Sequence, residues 1–231
     1  MNENQILANP VEKSFIGEFG KYTLLDTADG NWSVKSELHD ELSHSIHGAY
    51  LETVHCYFNS TKLLEKLREK RSITILEIGF GLGLAFEYLK FFLWNELNNE
   101  NGFCVNYIGL EIEPKMVDFR AKHVKNLHVK DKKEWVDFDL VVLIGDALDT
   151  IDLVRNNSVD IVFQDPFCLK SNVTLWEEGW FKKLNQKMVV GGLLGTFSAS
   201  TQVKERMERA CLFVERGIPF NRKKGHLIAR K

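Results

Sequence analysis

The stretch Ile73-Thr-Ile-Leu-Glu-Ile-Gly-Phe-Gly-Leu-Gly-Leu84 restricts the fold more than any other part of the chain. Its first half is a short apolar run rich in β-branched residues, the composition of a parallel strand buried on both faces. Gly79, Gly81 and Gly83 follow, and such a turn lets backbone approach a ligand where any Cβ would collide. From Leu84 onward, apolar residues recur at Phe86, Leu89, Leu93 and Leu97, a helical spacing. Strand, glycine turn and helix in this order open a nucleotide-binding α/β unit. The dinucleotide fingerprint is Gly-x-Gly-x-x-Gly, whereas the spacing here is Gly-x-Gly-x-Gly. A tight βα turn without a ligand is the remaining alternative, disfavoured by the backbone entropy of three glycines.

The flanking segments extend this unit. Residues 1–20 read as an extended arm. Two β-like runs over residues 21–36 flank Ala28-Asp29-Gly30-Asn31 and predict a hairpin. His39, His44 and His47 follow within residues 37–47, as a substrate-lining loop or as ordinary loop histidines. They lack the cysteines or ligand spacing of a metal site. Tyr50, Val54, Tyr57, Thr61 and Leu64 predict one helix over Gly48 to Arg68.

A second strand over Val105 to Ile112 carries Glu111, whose carboxylate can accept both hydroxyls of an adenosine ribose. Pro114 suits the first turn of a helix reaching Val124. Trp135 and Phe138 anchor the approach to a third strand, Leu140 to Ile144, which is closed by Gly145-Asp146-Ala147. Asp146 can cap a helix that begins near Leu148. The fourth strand, Val159 to Phe163, runs into Gln164-Asp165-Pro166-Phe167. The C-terminal end of a central strand beside the glycine turn is where this architecture places chemistry; the alternative is an Asx turn stiffened by proline. A helix from Trp176 to Leu184, a strand from Val189 to Phe197, a helix from Thr201 to Cys211 and two closing strands, Phe213 to Arg216 and His226 to Arg230, complete the pattern. The expected division is residues 1–47 as arm and hairpin extension and 48–231 as the main domain.

With 231 residues the chain suits one α/β domain with a small attachment. The four cysteines are far apart, the N-terminus has no signal-peptide pattern and no apolar run reaches membrane-spanning length. The expectation is a cytoplasmic protein with no membrane association. The formal net charge of -2 advertises no global basic field. From Thr201 onward, however, nine Lys or Arg stand against Glu205, Glu208 and Glu215, a net +6. This stretch, with Arg222, Lys223 and Lys224 together, is either a phosphate-contacting face or a solvated surface.

Specific motifs carry a resemblance. Glu77 with the glycine turn resembles motif I of the S-adenosylmethionine-dependent methyltransferases, and Asp165-Pro-Phe resembles the Asp-Pro-Pro-Tyr loop of enzymes that methylate exocyclic amino groups. From about residue 20 to residue 231 the chain resembles the methyltransferase domain of the MnmC family, the tRNA 5-methylaminomethyl-2-thiouridine methyltransferases. The matching motifs are Asp29-Gly30, Ser43-His44-Ser45, Gly48-Ala49-Tyr50-Leu51-Glu52, Glu77 to Gly83, Asp165 to Trp176, Gly191-Gly192 and Thr196-Phe197-Ser198-Ala199. Departures are Ser43 for a usual tyrosine, Cys168 for serine, and Leu169 and Val173 for prolines. Loss of two prolines predicts a looser substrate loop.

The resemblance implies an α/β, Rossmann-like class I fold: a mostly parallel seven-stranded sheet with a small N-terminal β-hairpin extension. It implies S-adenosyl-L-methionine as cofactor, held by Glu77, Gly79, Phe80, Gly81, Gly83, Glu111, Asp146, at the adenine amino group, and Asp165. Asp165 is also the implied catalytic residue. His44, Ser45, Glu52, Pro166, Phe167, Arg222, Lys223 and Lys224 fall on the substrate side, and no metal is implied. The implied substrate is the anticodon stem-loop of a tRNA carrying 5-aminomethyluridine at the wobble position. A functional partnership with the enzymes that install the aminomethyl and 2-thio groups goes with it. Many family members carry a fused FAD-dependent oxidoreductase domain, for which this chain is too short, so it resembles a stand-alone methyltransferase. An aminopropyltransferase acting on polyamines and a non-catalytic RNA-binding module of the same fold are the alternatives.

Overall fold

The computed structural model describes residues 5–98, 100–128, 136–219 and 225–231. Two sheets organise the chain. The first is antiparallel, in the order β1-β2-β3-β4, formed by β1 (Ser14–Gly17), β2 (Gly20–Asp26), β3 (Trp32–Ser36) and β4 (Glu41–Leu42). The expected hairpin is β2–β3, and two further strands flank it, one of them from the segment expected as an arm. Its turn is closed by Thr27 N–H donating to the Asn31 carbonyl. Asp29 then accepts from the backbone N–H of Tyr50, tying the turn to the start of the next helix.

The second sheet has seven strands: β5 (Ser72–Ile78), β6 (Phe103–Glu111), β7 (Val136–Ile144), β8 (Val159–Gln164), β9 (Met188–Thr196), β10 (Phe213–Arg216) and β11 (Leu227–Arg230). Their spatial order is β10-β11-β9-β8-β5-β6-β7. Strands β7, β6, β5, β8 and β9 pair in parallel, and β11 pairs antiparallel with both β9 and β10. The chain moves outward from β5 through β6 to β7, then returns to the other side of β5 as β8. That reversal opens a crevice beyond the C-terminal ends of β5 and β8, the standard ligand position in open α/β sheets.

The continuous apolar runs of β5 and β8 follow from burial on both faces. Ile73, Ile75 and Phe163 join one core with Tyr88, Leu89 and Leu93 of α3 (Leu84–Glu96). Leu76, Ile78 and Val162 join a second with Trp180, Phe181 and Leu184 of α6 (Glu178–Lys187) and Val203 and Met207 of α7 (Thr201–Arg209). Phe138 packs against the first core, while Trp135 lies outside the described residues.

The segment expected as one helix from Gly48 to Arg68 is instead broken. It comprises α1 (Ala49–Thr53), a π-helical turn over Val54–Asn59, and α2 (Leu63–Lys70), with Lys62 left-handed at φ 50 between them. Side-chain hydroxyls of Thr53, Ser60 and Thr61 donate to the carbonyls of Ala49, His55 and Tyr57. Such back-bonding competes with the regular helical ladder, and helical periodicity in the sequence does not report it. The remaining helices are α4 (Pro114–His123) and the short α5 (Ala147–Thr150). Glu113 caps α4 at Lys115 N–H and also accepts from Phe19 N–H. One carboxylate thereby joins the antiparallel sheet to the α/β body.

Candidate active site

A cavity of about 680 Å³ lies beyond the C-terminal ends of β5, β6 and β8, walled on its far side by β3, β4 and the segment leading to α1. The glycine turn forms part of its floor. A Cβ on Gly79 would stand 2.7 Å from the Asp165 carbonyl oxygen, so this residue must be glycine for the two loops to touch. Gly81 also borders the cavity and donates its N–H to Glu111 Oε2 at 2.5 Å. Gly83 has a different place. It does not line the cavity, and a Cβ there would overlap the buried Phe80 ring. Arg120 donates to the carbonyls of Leu82 and Gly83 and pairs with Glu87 at 2.6 Å, holding the turn from behind. Phe80 fills the space under the turn and also borders the cavity.

Four of the expected acids converge here. Glu111 accepts from Gly81 N–H and from Glu113 N–H, yet burial lifts its carboxyl to about 6 against these bonds. Glu77 is buried at the cavity floor, where Tyr107 O–H donates to its Oε2 at 2.8 Å. Burial, and then the charge of Asp165, push the Glu77 carboxyl well above the usual range, opposed by that hydrogen bond. Asp146 lines the cavity and caps α5 through Leu148 N–H at 2.8 Å; capping and cavity position coexist. Asp165 stands just after β8, on the cavity wall, and accepts from Tyr57 O–H at 2.5 Å.

His44, Ser45, Glu52, Pro166 and Phe167, expected on the substrate side, border the same cavity. Glu52 accepts from Ser45 N–H at 2.7 Å and so shapes the wall. Phe167 meets the His39 ring at 4.9 Å between centroids, and its carbonyl accepts from the Trp176 indole N–H. Glu41 accepts from Cys168 N–H at 2.7 Å. The loop after β8, expected to meet the substrate, is thereby tied to β4 and to Trp176. Arg222, Lys223 and Lys224 lie outside the described residues.

Tyr57, Tyr107 and Glu41 join the site beyond the residues expected from the sequence. Tyr107 had a signal: Glu77, an acid inside an apolar strand, requires a donor from a neighbouring strand. Tyr57 had none, because its reach to Asp165 depends on the π-helical turn. The lining combines six acidic side chains, Glu41, Glu52, Glu77, Glu111, Asp146 and Asp165, with aromatic walls, and no Lys or Arg among the described residues. Such a cavity suits cationic and aromatic ligands and opposes phosphate.

Residues 111–231 match the family described as S-adenosyl-L-methionine-dependent methyltransferase. The chain is 25% identical to the tRNA 5-methylaminomethyl-2-thiouridine biosynthesis bifunctional protein MnmC of Ralstonia nicotianae, with 84% of this chain and 32% of that protein covered. The protein of the same name from Burkholderia thailandensis is 25% identical over 89% of this chain and 34% of its own length. This chain thus spans about a third of the length of these relatives. Among solved structures, MnmC2 from Aquifex aeolicus superposes with a TM-score of 0.75 at 25% identity, covering 90% of this chain and 70% of that one. Spermidine synthase from Thermotoga maritima shares the fold, with a TM-score of 0.55 at 11% identity over 97% of this chain and 72% of the other.

Proposed function

The chain belongs to the family of S-adenosyl-L-methionine-dependent methyltransferases, and we propose that it methylates a primary amine, the 5-aminomethyl group of a tRNA wobble uridine. The product is 5-methylaminomethyluridine, normally in a 2-thiolated context. The observation that carries this reading is the acidic cavity, with no Lys or Arg in its lining among the described residues and with Asp165 set against the glycine turn. The names of the similar MnmC proteins support the choice of substrate.

The residues present fit the cofactor. Bound S-adenosylmethionine supplies a methyl group on a positively charged sulfur. The acids lining the cavity favour that charge, Gly81 leaves backbone open toward the cavity, and the Glu111 carboxylate can accept ribose hydroxyls. We assign Glu77, Gly79, Phe80, Gly81, Glu111 and Asp146 to this side of the cavity. Gly83 supports the turn from outside it.

Asp165 handles the acceptor. An alkyl ammonium has no lone pair to attack with, and such amines titrate well above 7 in water. A carboxylate attracts the ammonium, which opposes its deprotonation. Asp165 therefore orients the amine first and receives its proton second, directly or through water. Pro166 fixes the turn after it, and Phe167 offers a face to the pyrimidine. Phosphates of the RNA remain outside the acidic cavity, and we assign their contact to the sequence run Arg222-Lys223-Lys224. On this reading the enzyme works in the cytoplasm, with the enzymes that install the aminomethyl and 2-thio groups.

The test is methyl transfer from labelled cofactor to tRNA bearing 5-aminomethyluridine, followed by nucleoside mass analysis. Label should appear in that nucleoside, and Asp165→Asn should keep cofactor affinity while lowering kcat on the order of 10²–10⁴-fold. Label elsewhere in the RNA, or on free polyamines alone, would overturn the substrate assignment. A near-wild-type rate for Asp165→Asn would remove that residue from the chemistry.

A further inference from the structure

We infer that Tyr57 is a positioning residue for the reaction, fixing the rotation and the charge state of the Asp165 carboxylate through its hydroxyl. The inference rests on the amine-methylation reading above. Tyr57 O–H donates to Asp165 Oδ1 at 2.5 Å, the two residues being 108 apart in sequence. Both border the cavity. The ring is buried and packs on Phe163 of β8, two residues before Asp165, at 5.2 Å between centroids. Ring and hydroxyl are thus held independently.

The backbone is held as well. Tyr57 lies in the π-helical turn over Val54–Asn59, and its carbonyl accepts from both the N–H and the hydroxyl of Thr61. Turns of this kind occur frequently at functional sites. Below it, β9 presents Gly195, where a Cβ would stand 2.8 Å from the Cys56 carbonyl oxygen. The sheet therefore meets the turn in direct backbone contact.

Burial, the Asp165 charge and the hydrogen bond to Asp165 hold the Tyr57 hydroxyl well above its ordinary range. It stays a donor throughout the range in which the amine and the carboxylates titrate, and is not itself the base. The other titratable groups acting here are Glu52 and Cys56 on Tyr57, and Glu77 and Tyr107, which feel Asp165. Glu77 in turn feels Glu111 and Arg120. Donation from Tyr57 favours the charged form of the Asp165 carboxylate. Without that donor Asp165 would take up a proton at higher pH and would turn more freely.

The experiment compares wild type with Tyr57→Phe on 5-aminomethyluridine tRNA at saturating cofactor across pH. Log kcat should rise with pH as the amine loses its proton, and more steeply below the titration of Asp165. In Tyr57→Phe that break should move up by about one pH unit, with kcat down about tenfold at neutral pH. Cofactor affinity and the KM for tRNA should stay near wild type. A purely structural role would lower kcat or thermal stability without moving the break, and would overturn the inference. Tyr107→Phe also removes a buried hydroxyl, but one bonded to Glu77, and serves as comparison. An equal shift of the break in that variant would assign the effect to general loss of buried donors and equally overturn it. If wild type itself gives no methylated nucleoside, the amine-methylation reading fails, a result distinct from failure of the Tyr57 assignment.

Discussion

Glu111 is drawn two ways by its surroundings. Two backbone N–H groups favour its carboxylate, yet burial outweighs them and lifts its titration from 4.5 to about 6. Between these values the folded protein binds more protons than the unfolded chain. This group's contribution to stability is therefore full below pH 4.5 and is lost as pH rises through 6, by roughly 2 kcal/mol in all. The proposed ribose contact has the opposite sign, since two hydroxyls need the charged acceptor. Affinity for S-adenosylmethionine should rise as pH increases through 6. Glu111→Gln should flatten that dependence and weaken binding about tenfold, because an amide has one acceptor oxygen for Gly81, Glu113 and the ligand. Calorimetric titrations between pH 5 and pH 8 read both effects, and a pH-independent wild-type affinity would take the carboxylate out of the contact. Position and residue type of Glu111 are legible in the sequence, as an acid closing a strand. Its raised titration is not, because it depends on how the glycine turn and α4 fold over it.

The segment from α1 to α2 marks what local pattern can and cannot specify. Tyr50, Val54, Tyr57 and Leu64 recur as on an amphipathic helix, and all four do pack into the first core. What the periodicity omits is the competition from Thr53, Ser60 and Thr61 and the approach of β9, both decided by three-dimensional context. The strands were easier to read because both-face burial writes itself into composition, as in β5 and β8. The antiparallel sheet was half legible: Asp29-Gly30 announces β2–β3, whereas β1 and the two-residue β4 carry no comparable turn signal. Gly195 offers a test at this scale. Gly195→Ala would drive a methyl into the Cys56 carbonyl at 2.8 Å, backbone against backbone, where no side chain can yield. Overpacking of this kind costs about 1–3 kcal/mol, and the shift should reach Tyr57 directly. Thermal denaturation should show the loss, with kcat falling more than cofactor affinity. Unchanged stability would show that the π-helical turn moves away freely.

Across the whole molecule, an acidic cavity contrasts with a basic C-terminal stretch of sequence. The cavity is lined by six acidic side chains, while the last 31 residues carry a net +6 in a chain of net charge -2. Much of that excess is already engaged. Lys204 pairs with Glu208, Arg206 with Glu177 and Arg209 with Glu178. Arg216 donates to the Ala199 carbonyl and Thr201 hydroxyl, Arg230 lies over the Phe213 ring, and Lys231 donates to Asn157 and the Met188 carbonyl. Local pairing of this kind reduces what these cations can offer to a polyanion. The proposed RNA contact rests on the sequence run Arg222-Lys223-Lys224, which lies outside the described residues. Replacing all three with alanine should weaken tRNA binding regardless of sequence and make the slope of log affinity against log salt shallower, by about 0.7–0.9 for each phosphate no longer neutralised. Cofactor affinity should stay near wild type. Lys204→Ala, Arg206→Ala and Arg209→Ala combined should lower thermal stability with little change in slope. The reverse result, an unchanged slope for residues 222–224 and a shallower one for the α7 set, would move the RNA-binding face to α7.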